Sequence, residues 1–219
     1  MVKSKAWNWE DVKESIWLEP CEESYYFCEK WKRTDKRTVL DLGCGLGRHA
    51  ILFAQYGFDV SAVDLSEYAL EVVNSWKEKE KLEISTASAD MKNLPYENEV
   101  FDCIWSYHVV SHTDTPGFKD VLNEIKRVLK PGGEIFLTLC SKETWSYKEA
   151  GYPVIDENTV LKTEGVAEIE IPHFFVNMDD VLDLFSDFEL NNIRHIDNCF
   201  FDGAVRNSKH YYIYATLKK

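Results

Sequence analysis

The stretch that most constrains this chain is TVLDLGCGLGRH, residues 38–49. Thr38, Val39, Leu40 and Leu42 form a short apolar run broken only by Asp41, the pattern of a central strand buried on both faces. Three glycines follow at alternate positions, Gly43, Gly45 and Gly47, and an apolar run from Ala50 to Ala54 comes directly after them. Strand, glycine turn and helix in that order put a tight bend and a helix N-terminus at the carboxyl edge of a sheet, where open α/β folds bind ligands. A second apolar run, FDVSAVD, ends on Asp64, at a spacing that suits a carboxylate accepting hydrogen bonds from a ribose diol.

Glycine spacing narrows the nucleotide. A dinucleotide turn read as G-x-G-x-x-G from Gly43 needs glycine at position 48, which is Arg48, and a P-loop needs a lysine that this turn lacks. The pattern D-x-G-x-G-x-G, Asp41 to Gly47, with an acid one strand later, resembles the nucleoside-binding signature of class I S-adenosylmethionine-dependent methyltransferases. The phrase RVLKPGGEIFLTL, ending one helix and entering a fifth strand, is similar to the corresponding segment of that family. The resemblance covers residues 37–140 closely and the terminal strands loosely. It implies an α/β, doubly wound, mostly parallel seven-stranded sheet in the order 3-2-1-4-5-7-6, its last strand antiparallel, with helices on both faces and an N-terminal helical cap. It also implies S-adenosylmethionine as the cofactor.

The same resemblance assigns a donor site. Asp41 would take the donor's amino group, and Gly43, Gly45 and Gly47 would form the turn beneath it. Arg48 would neutralise a carboxylate of the donor or of an acceptor, the other reading being a surface arginine on a first helical turn. Asp64 and Leu65 would meet the ribose. Asp90 would meet the adenine amino group while Met91 packs on the ring, although an aspartate here also suits a turn that caps its own backbone. Ser106 and Tyr107, at the end of the fourth strand, would complete the site.

Along the chain we expect a single domain in four parts: an N-terminal cap (1–36), a cofactor-binding core (37–140), a substrate loop or lid (141–176), and a terminal helix with antiparallel strands (177–219). Asn8 suits the cap of a first helix and Pro20 the first turn of a second running to Arg33. Ser66, Thr115-Pro116 and Asn177 mark later helix starts, and Gly57 a helix end. Phe188–Asp197 and Ser208–Leu217 read as paired strands joined through Asp202-Gly203. Trp7, Trp9 and Trp17 either staple the cap to the sheet or cover a sulfonium, which aromatic faces attract.

At 219 residues, 45% hydrophobic and 29% charged, the chain has the size and composition of one soluble domain. Acids interrupt its first residues and no apolar run approaches a membrane span, so neither a signal peptide nor a membrane partner is expected, and the expected location is the cytoplasm. Six cysteines without a C-x-x-C pair fit reduced thiols. A net charge of −13 disfavours a nucleic-acid substrate, which calls for a basic face.

The expected reaction is methyl transfer to a small-molecule acceptor. His108, just past the fourth strand, is the candidate general base, with Tyr107 beside it, and a structural hydrogen-bonded role is the other reading of this histidine. Trp17, Trp145, His112 and His173 are candidate substrate or lid residues. His108, His112, Asp114 and His173 could converge as a metal set, but no metal is expected, because the segment holding the first three enters a proline-started helix as a loop. Alternatives are a protein or tRNA methyltransferase of the same fold, or a non-catalytic protein that holds the cofactor or its demethylated product.

Overall fold

The computed structural model describes residues 2–12, 14–165, 167–201 and 205–219. The core alternates strand and helix: β1 (Thr38–Leu42), α2 (Arg48–Gln55), β2 (Asp59–Asp64), α3 (Glu67–Glu80), β3 (Ile84–Ser88), β4 (Phe101–Ser106), α4 (Thr115–Val128) and β5 (Leu129–Ser141), preceded by α1 (Glu22–Arg33). Neighbouring strands in the order β3-β2-β1-β4-β5 pair in parallel. The long strands β9 (Phe188–Phe201) and β10 (Val205–Leu217) finish the sheet, β10 running antiparallel to both β5 and β9. This is the expected order, with β10 between β5 and the last strand.

Side-chain alternation explains the two layers of helices. In β1, Leu40 and Leu42 point to one face, where Phe118, Val121, Leu122 and Ile125 of α4 cover them. Val39 faces the opposite layer, formed by Phe27 and Trp31 of α1, Ile51 and Phe53 of α2, and Leu70 and Val73 of α3. Trp105 and Trp31 are fully buried there, so each anchors a helix to the sheet through a large apolar surface.

Several expected boundaries shift. Among the described residues the N-terminal cap holds only two short 3₁₀ turns before α1, Trp9–Asp11 and Ser15–Leu18. Asn8 precedes the first of them without a side-chain capping bond, and its Nδ2 donates to the Asp11 carboxylate. Pro20 precedes α1 instead of entering it, since Cys21 is the N-cap. Asp114, not Thr115, caps α4 by accepting from the Gly117 amide at 2.9 Å, while Thr115 donates to Asp156. Ser66, Gly57 and Asn177 act as expected, Asn177 forming a reciprocal capping box with Asp180 at the start of α6 (Met178–Leu184). The Asp202-Gly203 turn lies outside the described residues.

The segment read as an irregular loop from 141 to 176 contains regular structure: α5 (Trp145–Lys148), β6 (Val154–Asp156), β7 (Thr159–Leu161) and β8 (Pro172–Val176). Cys140 of β5 pairs with His210 on one side and with Phe175 of β8 on the other. Strand β8 therefore takes up the edge of β5 that β4 vacates after Ser106, which pairs with Leu137. A small antiparallel β6-β7-β8 sheet is thus hung over the carboxyl end of β4. Single short strands with buried, unbroken apolar sequence carry no period, so PHFFV gave no strand signal by itself.

Candidate active site

The carboxyl ends of β1, β2 and β3 open onto one crevice. The glycine turn holds Gly43, Gly45 and Gly47 at φ +71°, +51° and +91°, a backbone region that side chains disfavour. A Cβ at Gly45 would stand 2.5 Å from the Trp9 ring, and one at Gly43 2.2 Å from the Val109 side chain, so both approaches require glycine. At Gly47 the neighbour would be Val73 of α3, a helix-packing contact.

Asp41 is buried on β1. Its Oδ2 has no hydrogen-bond partner among the described residues. Burial pushes its pKa up to about 7. Asp64, at the end of β2, is engaged by its own backbone: Oδ2 accepts from the Gly45 amide and Oδ1 from the Ser66 amide, both at 2.9 Å. It therefore also fastens the glycine turn. Burial raises its pKa as well. Asp90 accepts from the Lys92 amide at 2.9 Å, as a turn aspartate does, yet it also lines a cavity of about 70 Å³ with Asp64, Leu65 and Met91. The turn reading of Asp90 holds, and its place on this cavity leaves it open to a ligand. Asp41, Gly43, Gly45, Arg48, Tyr107 and His108 line a second cavity of about 20 Å³. Trp7, Trp9, Gly43 and Val109 border both small cavities.

Next to them lies a cavity of about 1000 Å³, bordered by Trp17, Arg48, Tyr107, His108, His112 and His173, and by three groups that sequence reasoning missed, Lys162, Glu168 and His210. Tyr107 shares a hydrogen bond with the Tyr212 hydroxyl at 2.9 Å, and burial raises its pKa, so it stands as a neutral phenol. His108 adopts φ +60°, its amide donates to Thr138 Oγ1 at 2.7 Å and its Nδ1 lies 3.3 Å from the same oxygen. Its ring meets those of Tyr107 at 4.1 Å and His210 at 4.3 Å. Burial, then the neighbouring His210, pushes the His108 pKa well below the ordinary range. Burial and His173 do the same to His112. His112 reaches both the large cavity and the 70 Å³ one, its ring 4.7 Å from His173 and 5.5 Å from Trp7.

His173 is buried with Nε2 2.9 Å from Glu168 and Nδ1 3.0 Å from the Ile171 carbonyl oxygen. Burial draws its pKa down against the pull of these two acceptors. Burial also works against ionisation of Glu168, but the contacts from His173 and Lys162 hold its pKa well below the usual carboxylate range. The four histidines thus sit as two contacting pairs. Among the described residues no group of three or more His, Cys, Asp or Glu has an arrangement that could hold a metal ion. Asp114 is turned away, capping α4 and accepting from the Val2 amide.

Besides Gly47, whose neighbour is Val73, two expected positions border none of these cavities. The Ser106 hydroxyl is buried and donates to the Leu42 carbonyl at 2.9 Å, tying β4 to β1. Trp145 lies against Arg206, 4.4 Å away, and Tyr152, while its neighbours Thr144 and Ser146 border the large cavity in its place. His210 had no local signal: its place follows from its pairing with Cys140, 70 residues earlier.

The comparison with known proteins matches residues 39–133 to the methyltransferase domain family. The family matched is the methyltransferase domain. It is the family expected from the sequence, and its cofactor is S-adenosylmethionine. The chain is similar to malonyl-[acyl-carrier protein] O-methyltransferase of Salmonella typhimurium, 36% identical over 59% of this chain and 51% of that protein. It is also similar to sarcosine/dimethylglycine N-methyltransferase of Aphanothece halophytica, 31% identical over 61% of this chain and 52% of that protein. The chain thus spans about half the length of these curated relatives. In fold it resembles a SAM-dependent methyltransferase of Methanosarcina mazei, with a TM-score of 0.73 at 17% identity over 92% of this chain and all of that one. The matched domain ends at Gly133, before most of the large cavity's wall. Among the described residues no helix is long and apolar enough to cross a membrane.

The residues present fit the cofactor. Asp41 Oδ2 is a buried acceptor in want of a donor, and the turn at Gly43 and Gly45 has no room for side chains.

Proposed function

We propose that the protein transfers a methyl group from S-adenosylmethionine to a small-molecule acceptor seated in the large cavity. The observation that carries this reading is adjacency: Tyr107 and His108 border both the cavity holding Asp41 and the cavity of about 1000 Å³. The cofactor supplies an already activated methyl group, so the chain's work is placement and exclusion of water. In this reading Asp41 holds the donor's ammonium, Asp64 its ribose, and Asp90 with Met91 its adenine. His108 and His112, both neutral at pH 7, present lone pairs that orient an acceptor or take its proton. Tyr107, kept protonated, serves as a hydrogen-bond donor at the junction. The β6-β7-β8 sheet and the N-terminal aromatics close the walls around the acceptor. The net charge of −13 supports a small molecule over nucleic acid, and the proposed location is the cytoplasm.

The test is to incubate purified protein with methyl-labelled S-adenosylmethionine and a small-molecule extract. Label is expected in a low-mass product. Label confined to protein or tRNA fractions contradicts the acceptor class. Donor binding without transfer to any fraction contradicts an enzyme.

A further inference from the structure

Four histidines border the large cavity, and their hydrogen bonds divide them by what each can offer an acceptor. His173 has no lone pair to give, because Nε2 faces Glu168 and Nδ1 faces the Ile171 carbonyl oxygen. His210 turns Nε2 to Cys140 Sγ at 3.6 Å, and its Nδ1 is sealed from solvent.

His108 offers a proton. Thr138 Oγ1 accepts from the His108 amide at 2.7 Å and lies 3.3 Å from His108 Nδ1. Thr138 is buried, and among the described residues Nδ1 is the acceptor within reach of its hydroxyl proton. The hydroxyl therefore donates to Nδ1, and the neutral ring carries its own proton on Nε2.

His112 differs from all three. Among the described residues no hydrogen bond reaches either of its ring nitrogens, and neither is sealed from solvent. Whichever nitrogen carries the proton, the other keeps a lone pair. The ring borders both the large cavity and the 70 Å³ cavity that holds Asp64, Asp90 and Met91.

We propose that His112 is the general base for the acceptor and that His108 is the hydrogen-bond donor that positions it. This narrows the role that the two histidines share in the methyl-transfer reading above, on which it rests. It also names the acceptor's class: a nucleophile that keeps its proton at pH 7, such as an alcohol, a phenol or an N–H heterocycle. A carboxylate is already ionised at that pH and needs no base. In the step, the acceptor's O–H or N–H proton goes to His112 while the freed electron pair bonds the methyl carbon. The C–S electron pair returns to sulfur, and the imidazolium later gives its proton to water.

The surroundings of His112 suit that cycle. Burial and His173 keep the ring neutral at pH 7, the state in which a base must start. Once charged, it is favoured by Glu168 and opposed by Lys162, His173 and His210. The Trp7 ring, 5.5 Å away, also favours the cation, and Lys5, Asp64 and Asp90 share the smaller cavity with it. If His112 only packed between Trp7 and His173, replacing it would change stability without changing how the rate depends on pH.

The experiment follows label from saturating methyl-labelled S-adenosylmethionine into the low-mass fraction of a small-molecule extract between pH 5.5 and 9. Wild type, His112→Gln and His108→Gln are compared, with calorimetry confirming that each binds S-adenosylhomocysteine. His112→Gln should lower the rate at pH 7 by roughly 100-fold or more, and its rate should climb with pH as the acceptor ionises unaided. His108→Gln should lower the rate by roughly tenfold, chiefly through a raised KM seen on diluting the extract, and keep the wild-type pH profile. A long-range nitrogen–proton correlation spectrum of histidine-labelled wild type should place the His108 proton on Nε2. A His112→Gln rate within about threefold of wild type overturns the proposal, as does a pH profile lost in His108→Gln instead. A His108 proton on Nδ1 also overturns it, whatever the variants do. Transfer of no label by wild type means that the methyl-transfer reading itself fails and takes the base with it.

Discussion

The two sides of the site are built differently. The donor side is assembled from the ends of three consecutive strands: the glycine turn after β1, Asp64 closing β2, and Asp90-Met91 after β3. Each is fixed by a few neighbouring residues, and all lie inside the matched domain. The acceptor side draws Thr138 from β5, Glu168 and His173 from the segment before and within β8, and His210 from β10. Only the tertiary fold brings these together. In the proposed reading, the donor side rests on local turn chemistry, whereas the acceptor side rests on long-range pairing.

Protonation separates the two sides most strongly. Burial depresses the pKa values of His108, His112 and His210, the last to about 4, so the unfolded chain binds more protons below its histidine pKa of about 6.5. Stability therefore falls as pH drops from 7.5 to 5.5, by on the order of 1 kcal/mol for each such histidine. Asp41, raised to about 7, works the opposite way, because the folded state takes up its proton first, contributing about 2 kcal/mol of relative stabilisation over the same interval. Urea unfolding at both pH values should show a net loss. His112→Gln should lessen that loss and Asp41→Asn should deepen it; a profile unmoved by either would mean that neither group is held as described.

Asp64→Ala should weaken S-adenosylhomocysteine binding by roughly 10–100-fold, since a charged acceptor for the ribose is lost. It should also cost about 1 kcal/mol of stability, because the Gly45 and Ser66 amides lose their acceptor. His210→Asn, on the other side, should leave that affinity within about twofold. Similar losses in both variants would dissolve the distinction. Gly45→Ala should reduce donor affinity about tenfold through a strained left-handed backbone and a methyl group driven into Trp9. A smaller effect than that of Gly45→Ala belongs to Trp9, whose ring borders both small cavities. Trp9→Ala should tighten S-adenosylhomocysteine binding about threefold in calorimetry if the indole competes for that space. Weaker binding would make Trp9 a cover that packs on the donor.

Legibility in the sequence follows the same division. The glycine spacing, Asp64, the helix cap at Ser66 and LKPGG were legible because each depends on φ, ψ and neighbours within one turn, and the sheet order came with the family resemblance that they carry. The β6-β7-β8 sheet was not legible, since a buried five-residue strand such as Pro172–Val176 has no period to detect. Ser106 and Trp145 were misplaced for a related reason: position just beyond a strand or helix start does not fix which way a side chain turns. The Ser106 hydroxyl found the Leu42 carbonyl, and the Trp145 ring found Arg206. His210 became visible only through its register with Cys140.

The most direct measurement is a crystal structure with sinefungin, a donor analogue that carries an amine where the transferable methyl stands. Our account predicts its adenosine at Asp64, Asp90 and Met91, and its amine facing the large cavity between Tyr107 and His108. An amine pointing away from that cavity, or adenosine bound elsewhere than the glycine turn, would contradict it.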